Sequence, residues 1–427
     1  MALKARVVLA CLALGAVATG CTNAKVHTSS GGTTDPGVTS SSITVGSLAN
    51  ITGILSSDFA PITAGVKAYF SVVNAQGGVN GRKLDLAYQK DDQGNPTTDV
   101  SVAQQLVEQD HVFAVVGVGT PFFGSAKYLA QQGVPTFGYQ VSADWEDGPS
   151  LFGTYGSFLD YSKGVMSDAY VAEQLHAASV GFVAYGVPQS AAACQAAIQG
   201  FASFGIPVSF QDLSFGYGAD PTGDVLQMKS HHVDALFTCL DISGNIAFTR
   251  ALSQNGLSLH QVWLNGYDRS TLQTYGSLMD GVILEVQHVP FEAADAFPSA
   301  YPGMLTYIQE MQKYQPKDTY QEVALEGWID AATFVAGLRA VGRNLTQAKL
   351  VAAVNQMTDF TGGGLMPPLD WTTSHGDTGK GPWCNAYVQV QNGKFVPEFV
   401  QNGDSVFVCF TTGSFSPVPS LPGTPGG

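Results

Sequence analysis

The chain holds six cysteines, at positions 11, 21, 194, 239, 384 and 409. Thiols so spread either cross-link or bind metal. The close C-x-x-C spacing of zinc sites is missing, which leaves disulfide formation as the favoured chemistry. The eight histidines offer no H-E-x-x-H, and His231-His232, just ahead of an apolar run, read as a helix terminus. No G-x-S-x-G elbow presents a nucleophile. Gly362-Gly363-Gly364 lacks the following Lys-Ser/Thr of a phosphate loop, and Gly77-Gly78 is a turn. The expectation is therefore a binding protein with no catalytic residues, no metal and no cofactor.

The N-terminus says where those cysteines work. Lys4 and Arg6 precede an uncharged apolar run, Val7 to Val17. It falls short of the ~20 residues needed to span a bilayer but suits the h-region of a secretory signal. The run leads into Ala18-Thr19-Gly20-Cys21, which resembles the lipobox of bacterial lipoproteins, with Ala18 standing where Leu is usual. Residues 1–20 are then a lipoprotein signal peptide, and Cys21 carries lipid at the outer face of the cytoplasmic membrane. The plainer alternative is an ordinary signal with a chance cysteine. An exported chain meets an oxidising compartment, and once Cys11 leaves with the signal four thiols remain to pair. Of the three possible connectivities, Cys194–Cys239 with Cys384–Cys409 keeps each pair within one local unit.

Taking Lys4 and Arg6 from the 19 basic residues leaves 17 against 34 acidic ones, a formal charge of −17. That excess argues against nucleic acid as a partner, since phosphates are met by basic patches. The Ser-, Thr-, Gly- and Pro-rich stretch after Cys21, residues 21–42, reads as a flexible tether, and residues 411–427 as a disordered tail.

Whatever binds must be positioned by the body between them, where apolar runs alternate with helical periodicity. Strands are expected at Ile43–Ala49, Lys83–Gln89, Val112–Val118 and Pro135–Tyr139. Helices are expected at Pro61–Ala75, Asp99–Gln109 (capped by Asn95) and Ala126–Gln132. The alternation restarts with a helix at Tyr161–Leu175 and strands at Ser179–Tyr185, Pro207–Leu213, Ala235–Cys239 and Gln261–Asn265. Helices at Ala191–Phe204, Asp224–His231 and Asn245–Asn255 separate them. Two rounds of this pattern predict an α/β fold of two Rossmann-like lobes with parallel sheets, joined by a hinge. Ligands of open parallel sheets sit beyond the carboxyl ends of the strands, so two facing lobes make a cleft.

Several strings carry a more specific likeness. Thr44-Val45-Gly46 is followed by Thr52-Gly53, and the stretch from Val73 to Leu84 reads VNAQGGVNGRKL. Asp91-Asp92, Gly133-Val134-Pro135 and the late Leu369-Asp370-Trp371 follow in order, the last as a strand before a final hairpin. In order and spacing the chain resembles type I periplasmic (solute) binding proteins of the branched-chain amino acid (leucine/isoleucine/valine) class of ABC transporters. The likeness runs from about Ile43 to Val400. It implies a first lobe of residues 43–152 plus 281–341 and a second of residues 153–280 plus 342–410, closing on ligand like a hinge.

The resemblance also implies site residues. The ligand carboxylate would be held in two first-lobe loops, Gly117–Gly124 and Tyr139–Asp144, by Thr120 and Ser142 with Gln140 beside them. The same hydroxyls suit helix caps as well. The ligand ammonium would meet Asp268, with Tyr267 as a neighbour that replaces it, or Asp241. Asp268 beside Arg269 also reads as a surface ion pair. Gln189 stands where the family often places an aromatic contact. Phe59 and Phe122 offer apolar walls, with Phe123 assigned either to the cleft or to the core.

The implied ligand is an amino acid or related small carboxylate with an apolar or aromatic portion. The implied partners are ABC permease subunits and the membrane through Cys21, with the protein itself a monomer. The rival is a ligand-sensing subunit of the same fold acting on a receptor or regulator, which neighbouring genes would distinguish.

Overall fold

A computed structural model describes residues 35–53, 55–157, 166–375 and 383–410. The calls on the signal peptide, Cys21 and the tail 411–427 lie outside these residues. The last part of the supposed tether lies inside them: Val38 is buried and bridges to Ile43, and the Gly37 carbonyl accepts from the Thr44 N–H of the first strand at 2.8 Å. The packed body therefore begins before Ile43, because one apolar residue in a polar stretch is enough to dock it.

Strands β1 (Ser42–Ala49), β2 (Lys83–Asp91), β3 (Ala114–Gly119), β4 (Thr136–Gly138) and β5 (Leu151–Gly153) form a parallel sheet in the order β2-β1-β3-β4-β5. Strands β1 and β3 are almost wholly buried, as expected of central strands covered by helices on both faces. Short α1 (Ser56–Phe59), α2 (Ile62–Ala75), α3 (Pro96–Gln104) and α4 (Ala126–Gln132) connect them. Asn95 caps α3 by accepting from the N–H groups of Thr97 and Thr98, with Pro96 at the first helical position.

The second lobe contains β6 (Val180–Tyr185), β7 (Val208–Phe215), β8 (Ala235–Cys239), β9 (His260–Trp263) and β10 (Ile283–Val286), all parallel. Between and beside them run α5 (Ser167–Gln174), α6 (Pro188–Phe204), α7 (Thr222–Ser230), α8 (Ile242–Gln254) and α9 (Arg269–Tyr275). After β10 come α10 (Ala293–Ala296), α11 (Pro302–Tyr314), the long α12 (Glu322–Val341), α13 (Gln347–Val354) and α14 (Trp371–Ser374). The antiparallel strands β11 (Trp383–Gln391), β12 (Lys394–Glu398) and β13 (Phe407–Phe410) then extend the second sheet past β10.

Two boundaries differ from the sequence expectation. Strand β10 belongs to the second sheet, so the chain returns to the first lobe after Val286 rather than at Gly281. Residues 342–374 pack on the first lobe, where Leu345, Leu350, Val354 and Trp371 share a core with Phe113, Phe137 and Phe334. Leu369-Asp370-Trp371 is a single bridge to Phe360 followed by α14, not a strand, because Asp370 caps the helix instead.

Helix α12 is fixed on α2 at two glycines. A Cβ on Gly65 would lie 1.8 Å from the Ala324 carbonyl, and one on Gly327 would lie 1.9 Å from that of Ile62. The two helices can cross at this distance only with hydrogen at both positions. The crossing delivers Glu322, the first residue of α12, to the space between the lobes. Both disulfides join the expected partners, Cys194 with Cys239 and Cys384 with Cys409.

Candidate functional site

Loops at the carboxyl ends of both sheets enclose a cavity of about 190 Å³. It is of small-molecule rather than polymer size. The first lobe gives Asp58, Phe59, Pro121, Tyr139, Gln140 and Glu322; the second gives Tyr185, Gln189, Tyr217, Asp241 and Asp268. Each side chain is placed by the element it starts or ends. Asp241 caps α8, accepting from the Gly244 N–H at 2.8 Å, and Asp268 caps α9, accepting from the Ser270 N–H at 2.7 Å. Tyr185 is the last residue of β6, and its hydroxyl donates to Asp241 Oδ1 at 2.5 Å. A Cβ on Gly244 would lie 2.3 Å from that hydroxyl, so the Tyr185–Asp241 contact requires glycine there.

The wall is acidic. Asp58, Asp241, Asp268 and Glu322 line the cavity, two from each lobe, and no Lys, Arg or His stands with them among the described residues of its lining. The carboxyl of Asp58 is pushed up to about 7, chiefly by burial and then by the charge of Asp241; Asp268 and Glu322 add to this and a Ser57 hydroxyl contact opposes it. Two basic side chains beside the wall have partners of their own. The Arg269 guanidinium lies 3.3 Å from the centroid of the Tyr320 ring and 3.4 Å from Glu292. Buried His288 sits 3.3 Å from Glu322. Further along α12, Glu326 and Asp330 continue the acidic stripe, and burial raises both carboxyls well above the usual range.

Aromatic rings supply the rest. Phe59 packs against Tyr139 with centroids 6.2 Å apart, and Tyr185 stacks on Tyr217 at 3.9 Å. The lobes touch at the rim, where Gln189 Nε2 donates to the Pro121 carbonyl at 3.1 Å.

Of the nine residues singled out in the sequence, Phe59, Gln140, Gln189, Asp241, Tyr267 and Asp268 line this cavity. Three, Thr120, Phe122 and Ser142, are placed otherwise. Thr120 is buried, with its hydroxyl 3.4 Å from both the carbonyl and the N–H of Phe122. The Ser142 hydroxyl donates to Asp144 at 2.8 Å. Phe122 lies outside the lining, and Phe123 is core, packed on Trp145 at 4.6 Å. Tyr267 lines the cavity with its phenol turned away, donating to Glu292 and accepting from the Phe291 N–H at 2.7 Å among buried rings. Asp58, Glu322, Tyr185 and Tyr217 were not singled out, although each stands at or just beyond the end of a strand or at the start of a helix, where such ligands gather.

Among the described residues, no group of three or more His, Cys, Asp or Glu comes together to hold a metal ion. No described helix is long and apolar enough to cross a membrane.

Comparison with known proteins agrees with this architecture. The sequence profile of the periplasmic binding protein family matches residues 42–394. A solved R. palustris ABC-transporter solute-binding protein in complex with 4-hydroxybenzoate is 19% identical, with a TM-score of 0.71 over 88% of this chain and 98% of that one. A branched-chain amino acid ABC transporter protein from Thermus thermophilus with bound valine is 17% identical, also with a TM-score of 0.71 and the same coverage. A fatty acid ABC transporter substrate-binding protein from Thermomonospora curvata is 17% identical, with a TM-score of 0.68 over 92% of this chain and 98% of that one. No curated protein sequence matches the chain.

Proposed function

The chain belongs to the periplasmic binding protein family, and from that premise we propose that it is the substrate-binding lipoprotein of an ABC importer, anchored through Cys21, which captures a small amine-bearing solute between its lobes. Members of the family are extracytoplasmic, bind small molecules and work with ABC permeases. The observation that carries the reading for this chain is the cavity itself: strand-end loops of both lobes close on one space lined by carboxylates and aromatic rings. An amine supplies N–H donors and positive charge to the carboxylates, and its carbon body lies against Phe59, Tyr139 and Tyr185. The amine half of an amino-acid ligand is thus well provided for. The carboxylate half loses its two expected hydroxyls, since Thr120 and Ser142 bond within their own loops.

The test is to purify the full-length protein from membranes, release its solute by denaturation and identify that solute by mass spectrometry. One amine-bearing small molecule per chain, which rebinds to the refolded protein, is the expected result. A protein that carries and rebinds no small molecule would contradict the reading. In parallel, Cys21→Ser should move the chain from the membrane to the soluble fraction; continued membrane association would remove the anchor from the proposal.

A further inference from the structure

Resting on that reading of the cleft, we propose that the ligand is an organic cation, a protonated or quaternary amine with an apolar or aromatic body and no carboxylate. The first support is the sign of the wall. Four carboxylates face one small space; beside it the Arg269 guanidinium is held by Tyr320 and Glu292, and the His288 ring contacts one of the four, Glu322. A zwitterion placed there would bring its own carboxylate among them, and like charges brought together in a partly desolvated space reject a ligand.

The second support is the loop that would hold an anion. Pro121 is its residue on the cavity wall, and proline has no N–H to offer. The Phe122 N–H is directed at the Thr120 hydroxyl, and the hydroxyls of Thr120 and Ser142 are turned to protein acceptors. The third is a buried acceptor without a donor. The Oε1 of Gln321, a residue of the same wall, has no hydrogen-bond partner, and a carbonyl oxygen can only accept. The fourth is the pair of aromatic walls, Phe59 with Tyr139 and Tyr185 with Tyr217, whose ring faces attract cations.

The distribution of charge also suggests how binding closes the clamp. Asp58 and Glu322 belong to the first lobe, Asp241 and Asp268 to the second, and Asp241 is the charge that raises Asp58 most. Closing the lobes brings these like charges together. A cation between them reverses the sign of that interaction, so the ligand is the counter-ion that closure needs. Because no three carboxylates among the described residues converge on one point, a bare metal ion fits this role less well than an extended organic cation.

Calorimetric titration of the full-length protein in detergent, stripped of carried-over solute, tests this with three probes that share one ring and differ in charge: phenethylamine, phenylalanine and 3-phenylpropionate. The amine should bind at least tenfold more tightly than phenylalanine, and 3-phenylpropionate should give no binding heat. Phenylalanine or 3-phenylpropionate binding as tightly as the amine would overturn the proposal and leave the solute-binding function intact. If none of the three fits, the solute released from the native protein decides: a net positive charge at neutral pH upholds the proposal, and a zwitterion, neutral molecule or anion overturns it. Absence of any released or rebinding solute would remove the solute-binding function together with the proposal.

Discussion

Gln189 of the second lobe donates its side-chain N–H to the main-chain carbonyl of Pro121 in the first lobe, at 3.1 Å. This one bond spans the rim of the cleft and belongs only to a state in which the lobes are together. Gln189→Ala should therefore weaken ligand binding by roughly 0.5–1.5 kcal/mol, the usual net value of one hydrogen bond. Stopped-flow measurements should find the loss mainly in a faster dissociation rate, because the bond forms after the ligand has entered. An unchanged dissociation rate would show that the contact plays no part in retention.

Asp241→Asn separates charge from architecture. Asparagine keeps an acceptor for the Gly244 N–H and for the Tyr185 hydroxyl, so α8 stays capped and the melting temperature should hardly move. A charge-assisted bond to the amine is lost, which predicts an affinity about 1.5–3 kcal/mol weaker by calorimetry. An affinity within twofold of the parent protein would place the amine elsewhere.

The carboxyl of Asp58, raised to about 7 by burial and by Asp241, with smaller contributions from Asp268 and Glu322, makes binding depend on pH. The rings of Tyr185 and Tyr217 also share its surroundings. A cationic ligand favours the ionised carboxylate and so lowers that value in the complex. Affinity for an amine should then increase as the pH rises from about 6 to 8 and level off above. The ligand-free protein moves the other way. A folded-state value above the unfolded 3.8 gives a contribution to stability that is complete below about pH 4 and lost as the pH rises through about 7. Asp58→Asn should flatten both profiles, and binding that stays pH-dependent in this variant would assign the titration to another group.

Thr120→Ala and Ser142→Ala should leave affinity within about twofold, since neither side chain lines the cavity. Thr120→Ala should instead lower stability by roughly 1 kcal/mol, as a buried hydroxyl loses its partners. A tenfold loss of affinity in either variant would show that these hydroxyls reach the ligand.

Reducing the disulfides should lower stability by about 2–4 kcal/mol each, because both close loops of moderate length, 45 and 25 residues apart in sequence. Cys239 lies on the cavity wall, so loss of its bond to Cys194 should also weaken binding, whereas Cys384→Ser with Cys409→Ser should affect stability alone. Thermal melts and titrations of the two double variants distinguish these effects.

The alternation of strand and helix was legible because period-2 and period-3.6 patterns depend on local neighbours only. The central strands and the α3 cap fall where the patterns place them. The lobe boundaries were less so. Ile283–Val286 is a run of four residues, three of them apolar, and nothing within so short a run says which of two sheets it joins. For the cavity, order along the chain found the right loops but not the direction of side chains within them. Gln140 faces the cavity while Ser142, two residues on, bonds to Asp144. Asp58 and Glu322 escaped notice because their meaning lies in partners on the other lobe and far along the chain, such as Asp241.

The central claim, an acidic clamp that closes on an amine, is tested most directly by titrating one amine ligand, taken from the native protein, into the parent chain and the Asp58→Asn plus Asp241→Asn double variant at pH 8. The account predicts one site in the parent protein and at least a hundredfold weaker binding in the double variant, whose fold should be retained by circular dichroism. Equal affinity in the two proteins would contradict it.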